Sequence, residues 1–282
     1  FTEQFVHRKT DRHRALVSDR LLRFLDQFAQ EAHAVLQASA IFIAAVVGAA
    51  HDELHGGRHA MPGVAIDNVE AGTLRKLGGN APESSLMFGK FSPDGSRVAY
   101  VRGNNLYVEG LDSGSITQLT SDGSETTING TSDWVYEEEL SMRDGFRWSP
   151  DSAHIAYWQL DSEGVKEFKL INDTAGLYPV ITSFPYPKAG EVNSAARVGV
   201  ISSNGGPTRW FDIQGDPRNN YLPRMEWAAS SNEVIIQQLN RLQNQDTVML
   251  GDIQTGKVRT ILTEKDDAWV DVAWGEIGWD KH

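Results

Sequence analysis

The sequence predicts a mostly-β protein: a partial β-propeller of about four four-stranded antiparallel blades, preceded by an N-terminal helical segment. The first observation behind this is a repeat. Three segments superimpose: Phe91-Ser92-Pro93-Asp94-Gly95-Ser96-Arg97-Val98, Trp148-Ser149-Pro150-Asp151-Ser152-Ala153-His154-Ile155, and Trp227-Ala228-Ala229-Ser230-Ser231-Asn232-Glu233-Val234. In each, an aromatic residue is followed seven positions later by a β-branched one that opens an apolar run. That is strand, tight turn, strand. The second observation is that more strands follow the hairpins: Leu106–Val108 and Ile116–Thr120 joined through Asp112-Ser113-Gly114, and Thr247–Leu250 and Val258–Leu262 joined through Gln254-Thr255-Gly256. Four strands closed by a Gly-containing turn make a propeller blade. A single antiparallel sandwich has no reason to repeat an aromatic and a β-branched residue at fixed offset.

Taken in chain order, residues 1–60 form one region and 61–282 another. Between Arg14 and Ala50 there is no proline, and Leu21, Leu22, Leu25, Phe28 and Ala29 recur at helical spacing. Residues 34–50 then turn almost wholly apolar, interrupted by Gln37 and Ser39. This run falls short of the ~20 residues that cross a bilayer, and is read as a buried helix or as the remnant of a signal or anchor. Gly56, Gly57 and Pro62 mark a linker. His51, His55 and His59 recur at four-residue spacing, but Asp52 stands where a zincin needs glutamate, and the glycines break the helix. They are read as a polar linker, and no metal or cofactor is assigned.

Charge and composition narrow the function. Residues 1–60 carry seven basic and seven acidic side chains, so the whole net charge of −12 falls after them. Such an acidic surface argues against a nucleic-acid partner, which needs basic side chains to neutralise phosphates. The absence of cysteine excludes disulfides, thiolate metal sites and cysteine nucleophiles.

The repeats are unevenly spaced, 57 residues from Phe91 to Trp148 and 79 from Trp148 to Trp227. Regular blades take ~40–50 residues, so insertions lie between them, and insertions in a repeat fold are where function concentrates. The first contains Ser132-Asp133-Trp134-Val135-Tyr136-Glu137-Glu138-Glu139-Leu140. It reads as a short helix opened by Ser132 or Asp133. Successive helical residues point about 100° apart, so two glutamates can converge on one cation while the third is solvated. A solvated acidic turn is the plainer alternative.

The words around these glutamates add to that reading. Asp133-Trp134-Val135-Tyr136-Glu137-Glu138-Glu139, followed by Trp148-Ser149-Pro150, resembles the N-terminal propeller of dipeptidyl peptidase IV, a family in the prolyl oligopeptidase clan of serine peptidases. Further support comes from Phe91-Ser92-Pro93-Asp94-Gly95 with Asn104–Val108, from Tyr186–Asn193, from Trp227, from Leu239–Asn244 and from Trp269-Val270. The resemblance runs from about Ala71 to Val272. It implies an eight-bladed propeller over an α/β-hydrolase domain, and a periplasmic or secreted protein. It also implies that Glu138 and Glu139 bind the substrate's free α-ammonium, which limits cleavage to a dipeptide. Glu137 is then the outward or structural member, and Asp133, Trp134 and Tyr136 hold the helix in place. The family's substrate-contacting propeller arginine belongs upstream, where this chain ceases to match, and no residue is assigned to it.

No Gly-x-Ser-x-Gly nucleophile elbow occurs in the 282 residues, so no catalytic residue is assigned. The expected function is the substrate-gating propeller portion of a dipeptidyl-peptidase-IV-like exopeptidase, catalytically silent alone, whose partner is a peptide N-terminus. The alternative is a non-enzymatic propeller-like protein-binding module. About four blades of a wider ring would leave open strand edges, hence an expected cover by residues 34–47 or a homo-oligomer.

Overall fold

The computed structural model describes residues 73–82 and 84–272, together with strand residues 45–46 and 65–68. The helical pattern before residue 45 and the histidines at 51, 55 and 59 lie outside the described residues. Within the apolar run, Ala45–Val46 is a strand, β1, not helix. It pairs antiparallel with β2 (Ala65–Asn68), which pairs with β3 (Thr73–Lys76).

The first complete blade is β4 (Met87–Phe91), β5 (Arg97–Arg102), β6 (Asn105–Gly110) and β7 (Ile116–Gln118), hydrogen-bonded in that order. The second begins with β8 (Thr127–Asn129), leaves the sheet for helix α1 (Trp134–Glu138), and returns as β9 (Phe146–Trp148) beside β10 (His154–Asp161). A hairpin of β11 (Glu167–Asn172) and β12 (Val180–Pro185) projects before β13 (Ala195–Ser202) and β14 (Arg209–Trp210) complete that blade. The third is β15 (Asn220–Trp227), β16 (Glu233–Asn240), β17 (Gln245–Asp252) and β18 (Val258–Lys265). No helix among the described residues is long and apolar enough to cross a membrane.

Local chemistry explains the turns. Ser92 Oγ donates to Asp94 Oδ1 at 2.6 Å, and Ser149 Oγ to Asp151 Oδ1 at 2.6 Å. The serine amides donate to Arg97 O and His154 O, both at 2.9 Å, closing the strands. The third repeat lacks the aspartate yet keeps the closure, Ala228 N to Glu233 O at 2.9 Å. The side-chain bonds therefore reinforce a turn whose length already sets the register.

The blades pack face to face, and the core lies between them. Ala99, Val101 and Leu106 of the first blade meet Phe146, Ile155 and Tyr157 of the second. Trp158, Val198 and Val200 of the second meet Met225, Trp227, Ile236 and Met249 of the third. Two polar contacts recur at each seam. Trp148 Nε1 donates to Lys90 O at 3.0 Å, and Trp227 Nε1 to Arg147 O at 3.1 Å. Asp94 N donates to Ser152 Oγ and Asp151 N to Ser231 Oγ, both at 3.0 Å. In the second and third repeats the aromatic, a tryptophan, thus carries a hydrophobic load and one obligatory donor, both satisfied by the preceding blade.

Candidate functional site

The acidic motif occupies a break in the second blade's first strand. Asn129 of β8 pairs with Gln159, and Phe146 of β9 with Tyr157, so both short strands lie along β10 and residues 130–145 loop out between them. Trp158 faces the gap and ties its rims: Gly130 N donates to Trp158 O, and Trp158 N to Gly145 O, each at 3.0 Å. Gly145 N also donates to Gly130 O at 2.9 Å, and Thr131 bridges Asp144. This crossing requires glycine. A Cβ on Gly145 would stand 2.8 Å from Gly130 C and Thr131 N, and Gly130 has φ +75°.

Within the loop, Asp133 is the N-cap of α1, with extended backbone and its Oδ1 accepting from Tyr136 N at 3.0 Å. Burial raises the Asp133 pKa from its ordinary value, against the nearby Ser194 side chain and the amides of Tyr136 and Val135. Tyr136 is the anchor. It is 2% exposed, its hydroxyl accepts from Leu222 N of the third blade at 2.9 Å, and burial pushes the phenol well above its usual pKa. Leu140 and Met142 are buried in the same core, and Leu140 O accepts from Arg224 Nη1 at 2.8 Å. Trp134 leans the other way, stacked on Phe184 at 4.9 Å and tilted on Tyr186 at 5.4 Å, at the base of the β11–β12 hairpin.

The three glutamates are all exposed and differ in their partners. Glu137 Oε1 lies 3.7 Å from Arg143 Nε, an exposed pair worth about 0–1 kcal/mol. Among the described residues no cation stands within ion-pair distance of the Glu138 or Glu139 carboxylate. Two adjacent free carboxylates repel each other, and a cation placed between them relieves that repulsion. Sequence reasoning placed the helix and left its cap open between Ser132 and Asp133, of which Asp133 is the cap. It missed Arg143, Phe184 and Tyr186, and it missed Asp144 at the loop neck. Arg143 stands six residues after Glu137, beyond the helix, where no helical spacing links them.

The fold and the loop together define propeller blades carrying an acidic insertion on a first strand. Residues 49–280 match the family described as the dipeptidyl peptidase IV (DPP IV) N-terminal region, and the chain belongs to that family. It is 30% identical over 228 residues to a probable dipeptidyl peptidase 4 of Aspergillus clavatus, covering 76% of this chain and 29% of the relative. It is also 30% identical over 214 residues to the inactive dipeptidyl peptidase 10 of Mus musculus, covering 73% and 26%. Among solved structures, Porphyromonas gingivalis dipeptidyl peptidase 4 superimposes with a TM-score of 0.69 at 30% identity, over 74% of this chain and 29% of that one. The chain thus spans under a third of the length of these relatives.

Proposed function

We propose that this chain supplies the substrate-binding propeller portion of a dipeptidyl-peptidase-type serine exopeptidase, in which Glu138 and Glu139 receive the α-ammonium of a peptide N-terminus. The observation that carries the reading is the division of labour among the glutamates: Glu137 faces Arg143, and the next two carboxylates have no cation among the described residues. An ammonium held between them makes charge-assisted hydrogen bonds, and an acetylated amine cannot. The 282 residues contain no Gly-x-Ser-x-Gly, so this reading assigns bond cleavage to none of them. It places the protein in the periplasm or outside the cell, where peptide N-termini are its partners, and exposed strand edges give it a route to homo-oligomers.

A charge-assisted contact contributes about 1.5–3 kcal/mol, so losing one carboxylate should cost roughly 10–150-fold in affinity for a free amine. Calorimetric titration of the chain with an Xaa-Pro peptide amide, free and N-acetylated, measures this directly. The same ratio should appear in kcat/KM for a chimera with the rest of the Porphyromonas gingivalis peptidase. Glu138→Gln and Glu139→Gln should each lose the preference for the free amine, and Glu137→Gln should stay within a few-fold of the unmodified chain. Equal behaviour of all three variants would reject the receptor. The similarity to an inactive dipeptidyl peptidase favours a second reading, a propeller that binds a protein partner without cleavage. Binding indifferent to N-acetylation would support it.

A further inference from the structure

The residue just before the repeated aromatic is charged in all three repeats: Lys90, Arg147 and Glu226. They hold the same register, Lys90 opposite Ala99, Arg147 opposite Ala156 and Glu226 opposite Ile235. They come from three successive blades, and the structure brings them together with Asp144 of the loop neck. Lys90 Nζ ion-pairs with Asp144 Oδ2, donates to Phe146 O at 2.9 Å and sits 4.8 Å over the Phe146 ring. Arg147 Nη1 reaches the same Asp144 oxygen at 3.3 Å and donates to Asp144 O at 3.0 Å and Phe146 O at 2.8 Å. Its Nε meets Glu226 Oε2 at 3.2 Å, while Glu226 Oε1 accepts from Trp227 N at 2.9 Å. The result is a closed set of two cations and two anions, each half-buried.

We infer that Lys90 and Glu226 are positioning residues for a loop neither blade contains. With Arg147, they clamp Asp144 from both sides and fix residues 130–145, and with them Glu138 and Glu139, relative to the neighbouring blades. The backbone of the belt is fixed independently, because the indoles of Trp148 and Trp227 donate to Lys90 O and Arg147 O. The side chains are therefore free to act on the neck. Asp144 bridges Thr131, so any slack in Asp144 opens the rim on which α1 stands. Desolvation, and then the nearby Arg147 charge, lower the Lys90 pKa while Asp144 opposes them; packing raises that of Glu226 while Arg147 opposes it. Each charge is thus tolerated mainly through its belt partner. The clamp itself is independent of what the glutamates receive; only its functional meaning rests on the ammonium reading.

The test is hydrogen exchange on the full chain, read separately for residues 130–145 and for the β5–β6 ladder. Lys90→Met should speed exchange in the loop by about tenfold or more while leaving β5–β6 near its original rate. Lys90→Arg, which keeps the charge and the reach, should restore protection. Asp144→Asn approaches the same contact from the loop side, and serves if Lys90→Met does not fold. The double variant should be no worse than the worse single one, since both remove one interaction. Glu233→Gln, which breaks the exposed pair to Arg259 at 3.3 Å, is the control and should leave the loop unchanged. Unchanged loop protection in both Lys90→Met and Asp144→Asn overturns the clamp, as does a uniform loss across the chain that Lys90→Arg fails to reverse. Faster loop exchange, in a chain that never distinguished free from acetylated amines, would uphold the clamp and sink the ammonium reading alone.

Discussion

The loop of residues 130–145 and the β11–β12 hairpin both interrupt the second blade, yet their side chains meet opposite surroundings. The loop places Tyr136, Leu140 and Met142 in the core and its cap and neck in hydrogen bonds. The hairpin closes its own ladder from Glu167↔Pro185 to Asn172↔Val180, and every residue of β11 is exposed, Ile171 included, as is its β12 partner Ile181. Pairing satisfies a hairpin's backbone without any help from the body, but two strands alone bury too little to be stable. Only its base is held, where Phe168, Phe184 and Tyr186 gather under Trp134. The loop has little ladder of its own and depends on contacts borrowed from other strands. The proposed ammonium receptor, which needs Glu138 and Glu139 held in place, would sit on the segment anchored by those borrowed contacts.

The sharpest way to break this contrast is to remove the anchor. Tyr136→Ala should cost about 3–5 kcal/mol by urea unfolding, the range for emptying a buried aromatic site, whereas Phe168→Ala on the hairpin should cost under about 1 kcal/mol. Similar losses at both positions would mean that the hairpin carries as much of the fold as the loop.

Glycines give a second, smaller test. Gly145→Ala puts a methyl group against backbone atoms and should destabilise by about 1–3 kcal/mol. Gly176, in the hairpin turn, has nothing within 4 Å of where its Cβ would stand. Gly176→Ala should be neutral or stabilising by up to about 1 kcal/mol, through the unfolded chain.

The cap comes next. Asp133→Ala should cost about 1 kcal/mol. Because the folded state raises the Asp133 pKa, it holds that proton more tightly than the unfolded chain does. This residue's share of the stability therefore falls as pH rises through the folded pKa. Asp133→Asn should remove that slope from urea midpoints measured across pH 4–7, and an unchanged slope would place the burial effect elsewhere. The smallest expected effect is Ile171→Lys, within about 0.5 kcal/mol of the unmodified chain. A larger loss would show that the exposed face of β11 is covered, and sedimentation across concentration would then reveal a self-associated form.

Much of the blade architecture was legible because its determinants are local. A serine two residues before an aspartate, a proline between them and an apolar run five to six residues on specify a hairpin wherever they occur, and Ser92 and Ser149 close theirs identically. The short helix at 134–138 was legible for the same reason, since Asp133 reaches its own third amide onward. The second insertion was visible only as excess length between Trp148 and Trp227. Nothing in its composition distinguished an extended hairpin from added blade strands, as β-branched and aromatic residues serve both.

By itself, then, the sequence determined the repeating strand-turn-strand units, the capped acidic helix and the family, all written in residues a few positions apart. Only the tertiary structure decided that Tyr136 receives the amide of Leu222, and that Lys90 and Glu226 meet the loop from opposite sides through Asp144 and Arg147. The physical reason is distance along the chain. Residues separated by 50 to 90 positions come within hydrogen-bond reach only once the twist of each sheet and the packing of apolar faces have set the angle between blades, and no spacing in the sequence encodes that angle.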